Sequence, residues 1–61
     1  MRGRVTWWNN STNCGFIEVD DEEIFVHSSE EVTIYDDELI EFSLIERNNG
    51  LFICNLKEII G

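Results

Sequence analysis

The chain has 61 residues, enough for one domain built on one core. Its composition, 43% hydrophobic and 11% aromatic, is that of a folded domain rather than a disordered tail. Thirteen acids against four bases leave a net charge of -9, a field that repels phosphates and anionic membranes. No apolar run reaches the roughly 18 residues a membrane span needs. The start, MRGRVTWW, has no apolar signal region followed by a cleavage site, so a cytoplasmic protein is expected. Cys14 and Cys54 are then expected as free thiols. They do not form a zinc-finger spacing, and one His cannot complete a tetrahedral set, so neither metal nor cofactor is implied.

In chain order, GRVTWWN (residues 3–9) reads as a first strand, rich in β-branched and aromatic residues. NSTN (10–13) is a polar turn. CGFIEV (14–19) is a second strand, with Gly15, Ile17 and Val19 on one face and Cys14, Phe16 and Glu18 on the other. DDEE (20–23) supplies a tight connection, and IFVH (24–27) is a third strand that turns Phe25 and His27 away from Ile24 and Val26. SSEEVT (28–33) has room for one helical turn, since Ser28 stands three residues before Glu31 as in a capping box. ELIEFSLIE (38–46) is a fourth strand. RNNG (47–50) predicts a type I′ hairpin turn, and LFICNLKEII (51–60) is a fifth strand. Five short strands with tight turns predict an all-β domain over residues 1–61, a small antiparallel barrel whose closure removes exposed edges.

The expected core on the first three strands is Val5, Ile17, Val19, Ile24 and Val26. The fourth strand adds Ile40, Phe42 and Leu44. Alternation then leaves Phe16 and Phe25 outside with His27 beside them. Exposed aromatics on neighbouring strands form a flat platform of the kind that stacks unpaired bases, at roughly 1–3 kcal/mol per base. The competing explanation is packing under a loop or in a dimer contact.

GRVTWWN, CGFI and IFVH together resemble the bacterial cold-shock domain, which reads G-x-V-K-W-F-N, then K-G-[FY]-G-F-I, then V-F-V-H-[FY]-S. Gly3, Val5, Trp7, Asn9, Gly15, Phe16, Ile17, Phe25, Val26, His27 and Ser29 fall on that pattern in order. Phe42 matches the fourth-strand Phe, and Gly50 with Asn55 fits the final G-P-x-x-x-N. The resemblance implies a five-stranded OB-type barrel that binds single-stranded RNA or DNA by stacking, without catalysis. Trp7, Phe16, Phe25 and His27 fall on the family's stacking positions, and Trp8 replaces a family Phe. Arg4 is one of the few cations near the first strand. The departures remove charge and aromatics: Thr6 and Thr12 stand where the family has Lys, Cys14 where it has an aromatic, and Ser28 where an aromatic follows His.

DDEE and the later DDE (36–38) read as solvated charge, and neither run has the oxygen spacing of a Ca²⁺ loop. If Phe16 faces Phe25, then Cys14 faces His27, the minimum for a thiol nucleophile. No orienting partner, oxyanion donor set or deep pocket accompanies that pair, so no enzyme is expected. Two binding modules remain. One is a weak single-strand binder that relies on stacking. The other is an OB barrel that has lost nucleic-acid binding and meets a protein, or a second copy through Leu39, Ile45 or Phe52. The retained Trp7, Phe16, Phe25 and His27 favour the first, and the net charge favours the second.

Overall fold

The computed structural model describes residues 1–59, which form β1 (Arg2–Asn9), β2 (Cys14–Val19), β3 (Glu22–Ser28), β4 (Leu39–Arg47) and β5 (Gly50–Glu58). Neighbours run in the order β1-β2-β3-β5-β4, and β4 pairs back onto β1 to close the barrel. Closure gives each strand a neighbour on both sides, on a chain too small to cover open edges otherwise. Four pairings are antiparallel, as expected. The fifth, β3 with β5, is parallel and short, with His27 facing Phe52 and Ser28 facing Ile53. The expected five-stranded barrel is thus present, and its one parallel contact follows from parity. Directions that alternate around a ring of five strands must repeat once, and they repeat between β3 and β5.

The β2–β3 connection is tighter than DDEE implied. Val19 pairs with Glu22, and the two residues between, Asp20 (φ 50°) and Asp21 (φ 66°), both adopt the left-handed conformation of a type I′ turn. Glu22 and Glu23 already belong to β3. At the β4–β5 turn Arg47 pairs with Gly50, but the positive φ falls on Gly50 (128°) and not on Asn48 or Asn49. The expected type I′ turn is thus replaced by one whose sterically demanding residue is the glycine that opens β5.

No helical turn forms over residues 28–33. Ser28 Oγ accepts from the Glu30 N–H at 3.1 Å and donates to the Glu30 carbonyl at 2.7 Å. The Ser29 N–H and hydroxyl both donate to the Ile53 carbonyl, at 3.1 and 3.0 Å. Local side-chain bonds and the edge of β5 take the backbone groups that a helix needs. The fifth strand ends at Glu58, and Ile60 of the predicted strand lies outside the described residues.

Val5, Ile17, Val26, Ile40 and Phe42 are buried as expected, while Val19, Ile24 and Leu44 are half-buried at the core's margin. Trp8, Ile34 and Ile53 complete the core. Trp8 is there because β1 carries a bulge. Val5 pairs with Ile17 and Trp7 with Phe16, so Thr6 is an extra residue, and its hydroxyl donates to the Phe16 carbonyl at 3.2 Å. The bulge resets the alternation: Val5 points in, Trp7 out and Trp8 in. Gly15, opposite Trp8, makes room for the indole. A Cβ on Gly15 would stand 2.7 Å from Trp8 Cε3, so any larger residue would collide with it.

The approach to β4 is held by the acids that the sequence left to solvent. Asp36 accepts from the Trp8 N–H at 3.0 Å, and Asp37, with φ 67°, accepts from Arg4 at 2.8 Å. The Asp37 N–H donates to the Val5 carbonyl at 2.7 Å, and the Val5 N–H to the Glu38 carbonyl at 2.9 Å. Burial pushes the Glu38 carboxyl above its ordinary 4.5, a hydrogen bond with Glu58 and the Glu58 charge push the same way, and a backbone hydrogen bond at Tyr35 opposes them.

Glu38 therefore binds its proton more tightly in the folded state than in the unfolded chain. Its stabilising contribution is complete below pH 4.5 and is lost as pH rises through the raised value. Glu38→Gln should melt higher than the wild type at pH 7, with the two melting temperatures converging as pH falls to 4.5 and below. A gain that persists undiminished in acid would show that the charge on Glu38 is not its source. Added salt at neutral pH should likewise raise the wild-type melting temperature, because it screens the self-repulsion of a net charge of -9.

Candidate nucleic-acid interface

The outer faces of β1, β2, β3 and β5 carry one continuous run of rings. Trp7 and Phe16 have centroids 6.1 Å apart and are tilted by 47°. Phe16 and Phe25 lie 5.1 Å apart, tilted by 58°. Phe25 meets His27 edge-on at 5.2 Å, and His27 stacks on Phe52 at 5.1 Å and 29°. The Arg47 guanidinium sits 5.8 Å from the Phe52 centroid and ends the run. Aromatic pairs at these separations attract one another beyond their area burial, so the rings hold each other in place.

Register explains the run. Trp7, Phe16 and Phe25 form one row across β1, β2 and β3. Asn9, Cys14, His27 and Phe52 form the next row, which continues through Ile45 on β4. On the other side of the first row lie Arg4, Glu18 and Glu23. The platform is thus an oblique strip with a carboxylate row on one side and neutral polar residues on the other. Trp7 is 45% exposed and Phe25 42%, which is unusual for rings this large unless something covers them.

The positions expected from the sequence divide. Trp7, Phe16, Phe25 and His27 are brought together. Trp8 is not with them. It is only 7% exposed and packs in the core, so its expected place among the contacts is corrected by the bulge at Thr6. Its Nε1–H has no hydrogen-bond partner among the described residues. Arg4 is on the correct side of the barrel but occupied: its guanidinium meets Asp37 at 2.8 Å and Glu18 at 3.7 Å. Arg2 is paired with Glu41 at 3.2 Å. These pairs are exposed and add little stability, about 0–1 kcal/mol each, but they cancel charge that a phosphate would need.

Phe52 and Arg47 were not among the expected contacts. By sequence Phe52 reads as apolar surface for self-association, and its neighbour His27 lies 25 positions away along the parallel seam. Alternation around Ile53 turns Phe52 outward, but nothing local signals which strand it meets. Cys14 does face His27 as the register argument required, and its sulfur hydrogen-bonds to Thr12 Oγ1 at 3.0 Å. Among the described residues no three His, Cys, Asp or Glu side chains converge as a metal site requires. No helix among them is long and apolar enough to cross a membrane.

A closed barrel of five strands with ordered rings on its outer face is the frame onto which a known family maps. The family model described as the 'Cold-shock' DNA-binding domain matches residues 1–59. The chain belongs to that family. Cold-shock domains are OB-type barrels that bind nucleic acid and are not enzymes, which fits the barrel and removes the thiol-nucleophile reading of Cys14 and His27. No curated protein matches the chain.

The two tryptophans should be separable in solution. Trp7→Phe leaves Trp8 as the reporter, and its emission should be blue-shifted and shielded from acrylamide. Trp8→Phe leaves Trp7, which should emit to the red and quench readily. The stability effects differ as well. Trp8→Ala empties the core and should cost about 3–5 kcal/mol. Trp8→Phe loses volume but also removes an orphan buried donor worth about 1–3 kcal/mol, so it should stay within about 1 kcal/mol of the wild type.

Proposed function

We propose that this cold-shock domain is a single-strand nucleic-acid binder in which bases stack on Trp7, Phe16, Phe25 and His27, with weak affinity. The observation that carries this reading is the unbroken contact from Trp7 to His27 across three strands, with Trp7 and Phe25 more than two-fifths exposed. Core packing does not call for these rings. They stand outside a barrel that is already filled by Trp8, Ile17, Ile53 and Phe42.

Charge supports the weakness. A single-strand binder loses affinity with salt at a slope of about -0.7 per neutralised phosphate. Here Arg2 and Arg4 are committed to carboxylates, which leaves Lys57 and, at the end of the strip, Arg47. The neutralised count is about one or two by the same counterion reasoning. Glu18 and Glu23 flank Phe16 and Phe25, and salt screens their repulsion of the strand. The two effects oppose each other.

Oligo-dT or oligo-U should quench the tryptophan emission at low salt with micromolar or weaker affinity, and that affinity should be nearly flat or rising with salt. Trp7→Ala, Phe16→Ala and Phe25→Ala should each weaken binding by roughly 1–3 kcal/mol. His27→Ala should weaken it less, since its ring is smaller. Replacing Thr6, Thr12 and Glu18 by Lys should raise affinity and bring back a negative salt slope. Wild-type binding by all three aromatic variants would rule out the strip as the site. If even the lysine variant fails to quench, the protein-partner reading replaces this one.

A further inference from the structure

Phe52 is the fifth ring of the strip and the only one contributed by β5. One side of it stacks on His27, and Arg47, five residues earlier and across the β4–β5 turn, lies over it. Arg47 has no carboxylate partner among the described residues, in contrast to Arg2 and Arg4. The strip therefore ends in a ring with a cation over it, so a base that takes the Phe52 face displaces the guanidinium, which stays within reach of that base's phosphate. Phe52 is also two residue rows from the Glu18–Glu23 carboxylates, whereas Phe16 and Phe25 adjoin them. Phe52 thus stands farther from those carboxylates than Phe16 and Phe25 do, and next to Arg47.

We infer that Phe52 and Arg47 form a separate nucleotide-binding position at the β5 end of the platform: the base stacks on Phe52 and the phosphate is met by Arg47. This rests on the single-strand reading above and extends it by one nucleotide. Centroid separations of 5.1–6.1 Å along the strip exceed the roughly 3.4 Å spacing of a stacked strand, so each ring takes a splayed base of its own. A trinucleotide is satisfied on Trp7, Phe16 and Phe25. A longer strand reaches Phe52.

The test is a set of fluorescence titrations with dT3 and dT6, on variants whose melting curves establish that they are folded. Phe52→Ala should weaken dT6 binding roughly 5- to 150-fold and leave dT3 within about twofold. Phe52→Leu, which keeps apolar packing without a ring face, should behave like Phe52→Ala, and Phe52→Trp should bind dT6 at least as tightly as the wild type. Arg47→Ala should shift the dT6 salt slope by about +0.7 from its wild-type value. The Phe52→Ala loss should persist when His27 is already Ala. If that loss vanishes in the His27→Ala background, Phe52 only props the imidazole and the separate position is overturned. If Phe52→Ala matches the wild type on dT6 while Phe25→Ala does not, the separate position is likewise refuted and the single-strand reading stands. If neither the wild type nor the lysine variant binds either oligonucleotide, both fall together.

Discussion

One extra residue on β1 decides which surface this barrel presents. Without Thr6 as a bulge, alternation from Val5 would send Trp7 inward and Trp8 outward. With it, Trp7 joins Phe16 outside and Trp8 enters the core over Gly15. The bulge is held by the Thr6 hydroxyl on the Phe16 carbonyl and by Asp36 on the Trp8 N–H. The core and the platform are thus coupled through two adjacent residues. An indole inside also leaves one donor without a partner, a strain that a phenyl ring there would not carry.

How much of this the sequence made legible depends on how local the cause was. Strands β2 and β3 were readable almost residue by residue, because period-two alternation and a two-residue turn fix their register without outside help. The pairing of Phe16 with Phe25 and of Cys14 with His27 follows directly. Trp8 was not readable, because a bulge is invisible to an alternation rule. Its resemblance to an aromatic position kept it among the expected contacts, yet an aromatic is also what the core wanted. Ile34 and Ile53 were missed as core because one sits in a loop and the other on a strand whose facing partner could not be named.

Phe52 illustrates the non-local case. Five strands closed in a ring must contain one parallel contact, but counting strands does not say where it falls. The contact places β5 beside β3, and with it Phe52 beside His27 and Gly50 close to the same imidazole. The family position after His27 is Ser28 here, so the strip would have stopped at β3. A ring from a different strand continues it instead.

The acids divide into groups with different physical roles. Asp20 and Asp21 form a turn that needs positive φ at both positions, which Asp tolerates. Asp36 and Asp37 fasten the approach to β4 onto β1. Glu23 accepts from the Thr6 hydroxyl at 3.2 Å and Glu18 lies 3.7 Å from Arg4, and the two acids face each other two residue pairs beyond Phe16 and Phe25. Two residues along a strand span about 6.6 Å. That is shorter than the Debye length of about 8 Å at physiological ionic strength, so salt only partly hides these carboxylates from a strand lying on the rings. On the proposed reading a phosphodiester would then prefer the side of Asn9 and Cys14, away from the Glu18–Glu23 row. In the proposed binding mode the same repulsion would also orient the strand, since a backbone lying over Glu18 and Glu23 is penalised more than one on the opposite edge. On the proposed reading, stacking would set where the bases rest and the carboxylates which way the chain between them runs.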